Sequence, residues 1–285
     1  MRLVSDSPRQ VPARPDSPDV LELKALKARQ PELADAVDLQ LALLAIHRRI
    51  HLRIPVPALD VSEARVVRHL AARRPLLAYG DIPAEPSDLR LVLRQTGEVL
   101  ATFGLIEPEP LERLQALARE GNVSGAAEAW FERSCAGQRD VATAEGDTEQ
   151  AIGLALKPFL SRCADAVQPA AALAAWTLST CPVCGGEAEF GVLERDGQRR
   201  LICGQCGLRW AFAAGRCPYC PNDDRGRLTS FATPDRRYEV TACELCRRYL
   251  KSYRVQPGQR PVMPAVDTLA TLPLDAAAIQ RGYGS

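Results

Sequence analysis

The sequence predicts an N-terminal all-α helical domain followed by two tandem rubredoxin-like or zinc-ribbon modules, an α plus small β metal-binding architecture. Two observations carry this expectation. Apolar residues recur at helical spacing over residues 18–178, and eight cysteines then appear as four C-x-x-C pairs within the 66 residues from Cys181 to Cys246. A hairpin signature between the pairs, repeated after about 36 to 40 residues, divides the cysteine-rich half into two modules. With 285 residues, 46% hydrophobic and 25% charged, the chain can build one to three packed domains, which excludes disorder over its whole length.

Within residues 33–52 one stripe runs Leu39, Leu43, Ile46, Ile50 and another Val37, Leu41, Leu44, so this helix is apolar over a wide face and belongs in a core. Ser87, a competent N-cap, precedes Leu89, Val92, Leu93, Thr96, Leu100 and Phe103. Pro110 in a first turn, Leu111, Leu114 and Leu117 on one face, and Gly121 past the end delimit a third helix. Residues 125–134 and 151–162 are further candidates, and 169–178 reads as an Ala-rich helix opened by Pro169. Six to eight helices in a bundle are expected. The boundaries that follow are a flexible segment over 1–17, the helical domain over 18–178, one four-cysteine module over 179–214, a second over 215–255, and a tail with a short helix over 256–285.

The pairs are Cys181/Cys184, Cys203/Cys206, Cys217/Cys220 and Cys243/Cys246. Two intervening residues let one tight loop aim two sulfurs at a single ion, so each pair is half of a tetrahedral site. Eighteen residues separate the first two pairs and 22 the last two. In each interval lies a hairpin: residues 187–194 and 199–202 around Asp196-Gly197, whose turn tolerates positive φ, and 228–233 and 237–242 around Pro234-Asp235. Each hairpin brings its own two knuckles together, so sequential pairing is expected over the interleaved alternative, first with third and second with fourth. All eight cysteines are therefore candidate metal ligands, for two ions of iron or zinc. A closed four-thiolate shell leaves no position for substrate and points to a structural role.

Charge excludes some partners. Lys and Arg total 36 against 35 Asp and Glu, so no global field draws the chain to nucleic acid or to an anionic membrane. Residues 181–254 carry 13 Lys and Arg against 9 Asp and Glu, an excess that eight thiolates with two divalent ions cancel. No stretch approaches the roughly 18 to 20 apolar residues of a membrane span, and Pro8, Pro12, Pro15 and Pro18 break a start without an apolar export core. No membrane insertion and a cytoplasmic location are expected, where thiols serve metals rather than disulfides.

Other candidates for chemistry are thin. His47 and His51 lie four apart on a helix, but Arg48 stands where a hydrolytic zinc motif needs Glu, so a solvated or boundary pair is expected. His69 reads as a helix-surface residue, and Cys135 and Cys163, without C-x-x-C partners, as small buried hydrophobes. Dinucleotide and phosphate-loop motifs and a nucleophile elbow are absent, and no catalytic residue is assigned. Trp210, Tyr249 and Tyr253, just after knuckle cysteines, are expected to pack over the thiolates rather than stack on bases.

The four knuckles, Leu208-Arg209-Trp210, the Arg-Cys-Pro-Tyr-Cys at 216–220, the Cys-x-x-Cys-x-x-Tyr-Leu-Lys at 243–251 and the Asp-Thr-Leu-Ala-Thr-Leu-Pro-Leu-Asp at 267–275 together resemble the formate dehydrogenase accessory protein FdhE family. The likeness is specific from Cys181 onward and weaker in the helical half. It implies a cytoplasmic, non-catalytic maturation factor that binds the formate dehydrogenase catalytic subunit before twin-arginine export. Pro221 and Arg247 stand where Gly would ease a knuckle turn, which implies a less regular second site. A zinc-ribbon module for nucleic acid or transcription is the alternative and needs the Arg199/Arg200, Arg236/Arg237 and Arg247/Arg248 pairs on one exposed face. An electron-transfer or sulfur-handling enzyme, the third reading, needs a redox couple or a reactive cysteine at the sites.

Overall fold

Seven α-helices precede the cysteine-rich region among the described residues, 16–135, 146–168 and 170–284 of this computed structural model. They are α1 (Pro18–Arg29), α2 (Ala34–His51), α3 (Glu63–Ala71), α4 (Pro86–Thr102), α5 (Pro108–Arg119), α6 (Val123–Cys135) and α7 (Gly146–Val167). Most of the expected flexible segment 1–17 lies outside the described residues. Pro opens α1, α4 and α5 in the first turn, where its missing N–H is unsatisfied in any helix. Ser87 is therefore inside α4, and Glu85 takes the N-cap position. The helix expected over 169–178 is instead one 3-10 turn, Ala171–Ala175. Trp176 ends it: the indole is buried and its Nε1 donates to the Thr180 carbonyl at 2.8 Å, which holds the chain extended.

Six strands follow: β1 (Ala188–Leu193), β2 (Arg199–Cys203), β3 (Arg209–Phe212), β4 (Leu228–Ala232), β5 (Tyr238–Cys243) and β6 (Tyr249–Arg254). Both hairpins form where the turn signals place them. The first turn is not a primed one, because Gly197 alone has positive φ, at 83°. Glu194 and Gln198 close a three-residue loop with Gly in the left-handed position. Each module adds a third strand after its second knuckle, β3 and β6, that the hairpin signature does not announce.

The two modules are not separate beads. They share one sheet of order β3-β2-β1-β6-β5-β4, antiparallel except where β1 and β6 run parallel. At that seam Gly191 faces Ser252, and a Cβ on residue 191 would sit 2.4 Å from Ser252 Oγ and 3.2 Å from Leu250 Cδ2. The absent side chain is what lets the modules fuse.

Alternation along the strands sends Leu201 and Leu250 to one face, with Trp210, and Phe190, Val192, Ile202, Tyr238 and Tyr253 to the other. The first face merges with Leu156, Phe159, Leu160 and Val167 of α7 into one core that runs across the junction of the two halves. The second is covered by α8 (Pro264–Ala270) and α9 (Leu272–Gln280), so the expected tail carries two short helices. Val266 of α8 also packs with Leu23, Leu26 and Val37 of α1 and α2, and the tail thereby clamps sheet and helices together. Fully buried Asp267 anchors it, accepting from Tyr238 Oη at 2.7 Å, from Met263 N at 2.6 Å and from both guanidinium nitrogens of Arg260 at 2.6 and 3.1 Å.

Gly191→Val should overpack the seam and cost about 1–3 kcal/mol. Ser252→Gly in the same chain should recover most of it. Chemical denaturation of the single and double variants checks this, and a loss that Ser252→Gly leaves untouched would place the strain elsewhere.

Two candidate metal centres

The sulfurs gather sequentially. Those of Cys181, Cys184, Cys203 and Cys206 lie within 4.8 Å of one another, as do those of Cys217, Cys220, Cys243 and Cys246. Across each pair of knuckles the Sγ–Sγ separations are 3.5 Å (Cys181–Cys206) and 3.4 Å (Cys184–Cys203) in the first group, and 3.7 Å (Cys217–Cys246 and Cys220–Cys243) in the second. A tetrahedral ion with metal–sulfur bonds of about 2.3 Å needs sulfurs about 3.8 Å apart. Both donor sets fit one such ion, and the same spacing suits zinc and iron.

The four knuckles share one backbone plan. The amide of the first cysteine donates to the carbonyl five residues on: Cys181 to Gly186, Cys203 to Leu208, Cys217 to Asn222 and Cys243 to Arg248. In three knuckles the residue after the second cysteine turns into the left-handed region and donates back to the first cysteine's carbonyl: Gly185, Gly207 and, at φ 59°, Arg247. Pro221 has no N–H to give, so the third knuckle lacks that bond. Knuckle amides also reach sulfur, Gln205 N–H to Cys203 Sγ and Tyr219 N–H to Cys217 Sγ, both at 3.4 Å.

The surroundings of the two groups differ. All four sulfur-bearing residues of the first are 0–3% exposed and belong to the core shared with the helices. Amides of Leu76 and Leu77, between α3 and α4, donate to the carbonyls of Pro182 and Val183 at 2.8 and 3.0 Å. From α6, the Cys135 thiol donates to the Cys184 carbonyl at 3.1 Å, and Gln205 bonds the hydroxyl of Ser134. His69 is half-buried, with Nδ1 2.8 Å from the Pro75 carbonyl beside this pairing. Cys163 is fully buried, as expected, whereas Cys135 is a half-buried polar tie.

In the second group Cys220 and Cys246 are half-buried, and Cys217 and Cys243 lie covered but close beneath the surface. Tyr219 Oη donates to the Ala188 carbonyl at 3.0 Å, and Arg248 stacks over the Tyr219 ring at 3.9 Å while donating to both carboxylate oxygens of Glu187 at 2.9 and 2.8 Å. Arg199, 3% exposed, donates to the carbonyls of Ala213 and Arg216 at 2.5 Å each. Arg247 donates to the Arg281 and Gly282 carbonyls and covers the Tyr283 ring at 4.1 Å. Three of the six arginines paired in the sequence, Arg199, Arg247 and Arg248, are thus bonded within the chain.

Burial pushes the Cys181, Cys206, Cys217 and Cys246 thiols upward and the Cys181 thiol raises Cys184, yet one sulfur in each group is lowered. In the first group neighbouring thiols and the Cys206 amide donate to Cys203 and hold it well below the usual thiol range, while Cys184 and Cys206 are raised. In the second, the amides of Cys246 and Leu245 with the Cys220 and Cys217 thiols bring Cys243 down to about 7. Cys203 and Cys243 therefore give up their protons more readily than the raised thiols, and binding an ion displaces protons from the group.

Two of the three aromatic residues after the knuckles, Tyr249 and Tyr253, depart from expectation. Trp210 is buried in the shared core with its Nε1 donating to the Leu178 carbonyl at 3.1 Å. Tyr249 and Tyr253 face the tail instead of the thiols, bonding Asp275 and the Arg260 carbonyl at 2.7 Å each. Tyr219 is the ring beside a thiol group, inside the third knuckle. Sequence spacing carried no sign of Leu76, Leu77, Ser134 or of Glu187 against the fourth knuckle, which meet the knuckles only through the fold.

His47 and His51 do not form a pair. His51 Nε2 lies 3.3 Å from Asp165 Oδ2, and burial, with Lys157 nearby, pushes His47 down to about 4. Below 6.5, its value when unfolded, the unfolded chain takes up a proton there that the native one refuses until about pH 4. Stability contributed by neutral His47 is therefore present above pH 6.5 and lost as pH falls toward 4, by at most about 3 kcal/mol. His47→Leu should lack this component, so the difference in unfolding free energy between the two proteins should change over that window. A constant difference would show that His47 titrates normally.

No protein-family model matches the chain. It is 32% identical over 109 residues to the Protein FdhE homolog of Shewanella oneidensis, covering 37% of this chain and 35% of that one. It is 35% identical over 109 residues to the Protein FdhE homolog of Haemophilus ducreyi, covering 36% and 35%. The matched stretch thus spans about a third of the length of these curated relatives. The crystal structure of the FdhE protein from Pseudomonas aeruginosa superposes with a TM-score of 0.63 over 93% of this chain and 91% of that one, at 22% identity, which establishes a common fold.

Proposed function

We propose, from a likeness to FdhE carried by both sequence and fold, that this protein is an accessory factor for formate dehydrogenase and not an enzyme. The curated FdhE relatives carry the reading. In it the eight cysteines hold two ions, iron or zinc, that organise the sheet and its junction with the helices. The partner is a formate dehydrogenase catalytic subunit, bound in the cytoplasm before export, and binding rather than turnover is the activity. Two closed four-sulfur shells support this, since neither leaves a coordination position for a substrate. The internal use of Arg199, Arg247 and Arg248 engages three of the six arginines that the nucleic-acid alternative needs on one exposed face.

Purification from cells grown without oxygen, with metal analysis and identification of co-purifying protein, tests the reading. Two ions per chain and a retained catalytic subunit are expected. Retained nucleic acid without that subunit would replace this reading by the zinc-ribbon alternative.

Cys203→Ser should release the first ion and loosen more than the sheet. An ion in such a site is worth about 10–16 kcal/mol in zinc-finger peptides, and here its ligands share a core with α7 and backbone pairs with Leu76 and Leu77. Hydrogen exchange is expected to rise in residues 74–78 and in α6 as well as in 181–212. Unchanged protection in all three would remove the structural role.

A further inference from the structure

We propose that the two thiol groups differ in exchange: the second takes up and releases its ion while the chain stays folded, whereas the first keeps its ion until the joint between helices and sheet opens. This deepens the reading above and rests on both groups holding metal.

Access separates them first. The whole first knuckle, 181–186, is buried, and every cysteine of that group is at most 3% exposed. An outside ligand reaches those sulfurs only if Leu76 and Leu77 leave Pro182 and Val183 and the core with α6 and α7 parts. In the second group Cys220 and Cys246 are only half-buried, next to exposed Pro221 and Leu245, the latter 54% exposed. A chelator can approach them with no element moving.

Support without an ion separates them next. The third knuckle is tied to β1 by Tyr219, and its reversal is held by the Asn222 carbonyl accepting from Cys217 N. Asn222 Nδ2 also lies 3.5 Å from Cys243 Sγ and so bridges the knuckles. The fourth knuckle is pinned by Arg247 to the C-terminal tail and by Arg248 to Glu187. These bonds persist when the ion leaves, so the cradle stays shaped. As each chelator donor replaces a cysteine sulfur, that sulfur takes a proton from water, and the exchange needs neither oxidant nor reductant.

The full chain loaded with two equivalents of zinc and mixed with excess EDTA should lose one equivalent at least on the order of 100-fold faster than the other. Far-UV circular dichroism should not change during the fast phase. Hydrogen exchange on the one-zinc species should stay low at 181–186 and 203–208, with any rise confined to 217–222 and 243–248. Cys246→Ser should abolish the fast phase and leave the slow one. Two equivalents leaving in a single phase, or protection lost first at 181–186, would overturn the exchange proposal alone. Fewer than two equivalents bound at the outset would overturn the two-ion reading and this proposal with it, whereas failure to retain a formate dehydrogenase subunit would leave it standing.

Discussion

Two backbone hydrogen bonds organise this molecule: Leu76 N to the Pro182 carbonyl and Leu77 N to the Val183 carbonyl. They dock the first cysteine knuckle onto the segment between α3 and α4. Once it is docked, Cys181, Cys184, Cys203 and Cys206 fall inside an apolar core built with α7, and the sheet can no longer move independently of the helices. Small metal modules bury little surface of their own and usually depend on the ion for stability. Here one of two thiol groups draws on a large helical core, and the other is buried only in part.

Cysteine sulfurs destined to carry negative charge need compensation where water is excluded. The chain supplies it with backbone amides at the second, third and fourth knuckles and with arginines placed around the second group. Arg248 lies between Glu187 and the Tyr219 ring, and Arg199 is buried near Cys217. Part of a basic excess that could suggest a nucleic-acid surface is thus an internal counter-charge.

The C-terminal tail closes the assembly. Asp267, with its bonds to Tyr238, Arg260 and Met263, fixes α8 where Val266 meets Leu23 and Val37. Chain ends distant in sequence are thereby packed together, and the sheet is covered on the face that the main helices do not reach.

Much of this was legible in the residues. The stripes of α2, α4 and α5 and both hairpins depend on contacts within a dozen or so residues, so periodicity and turn chemistry suffice to find them. Sequential gathering of the thiols follows for the same reason, because each hairpin carries its own two knuckles. Helix ends were less legible: Pro86 displaced Ser87 from the cap of α4, and the buried Trp176 unwound the Ala-rich segment after α7. Fusion of two modules through the parallel β1–β6 seam, the burial of one thiol group and exposure of the other, and the use of Tyr249 and Tyr253 against the tail were decided by tertiary structure alone. Each depends on surfaces that meet only in the fold, as Gly191 and Ser252 do at the seam, and periodicity within one element holds no record of the neighbour it will meet.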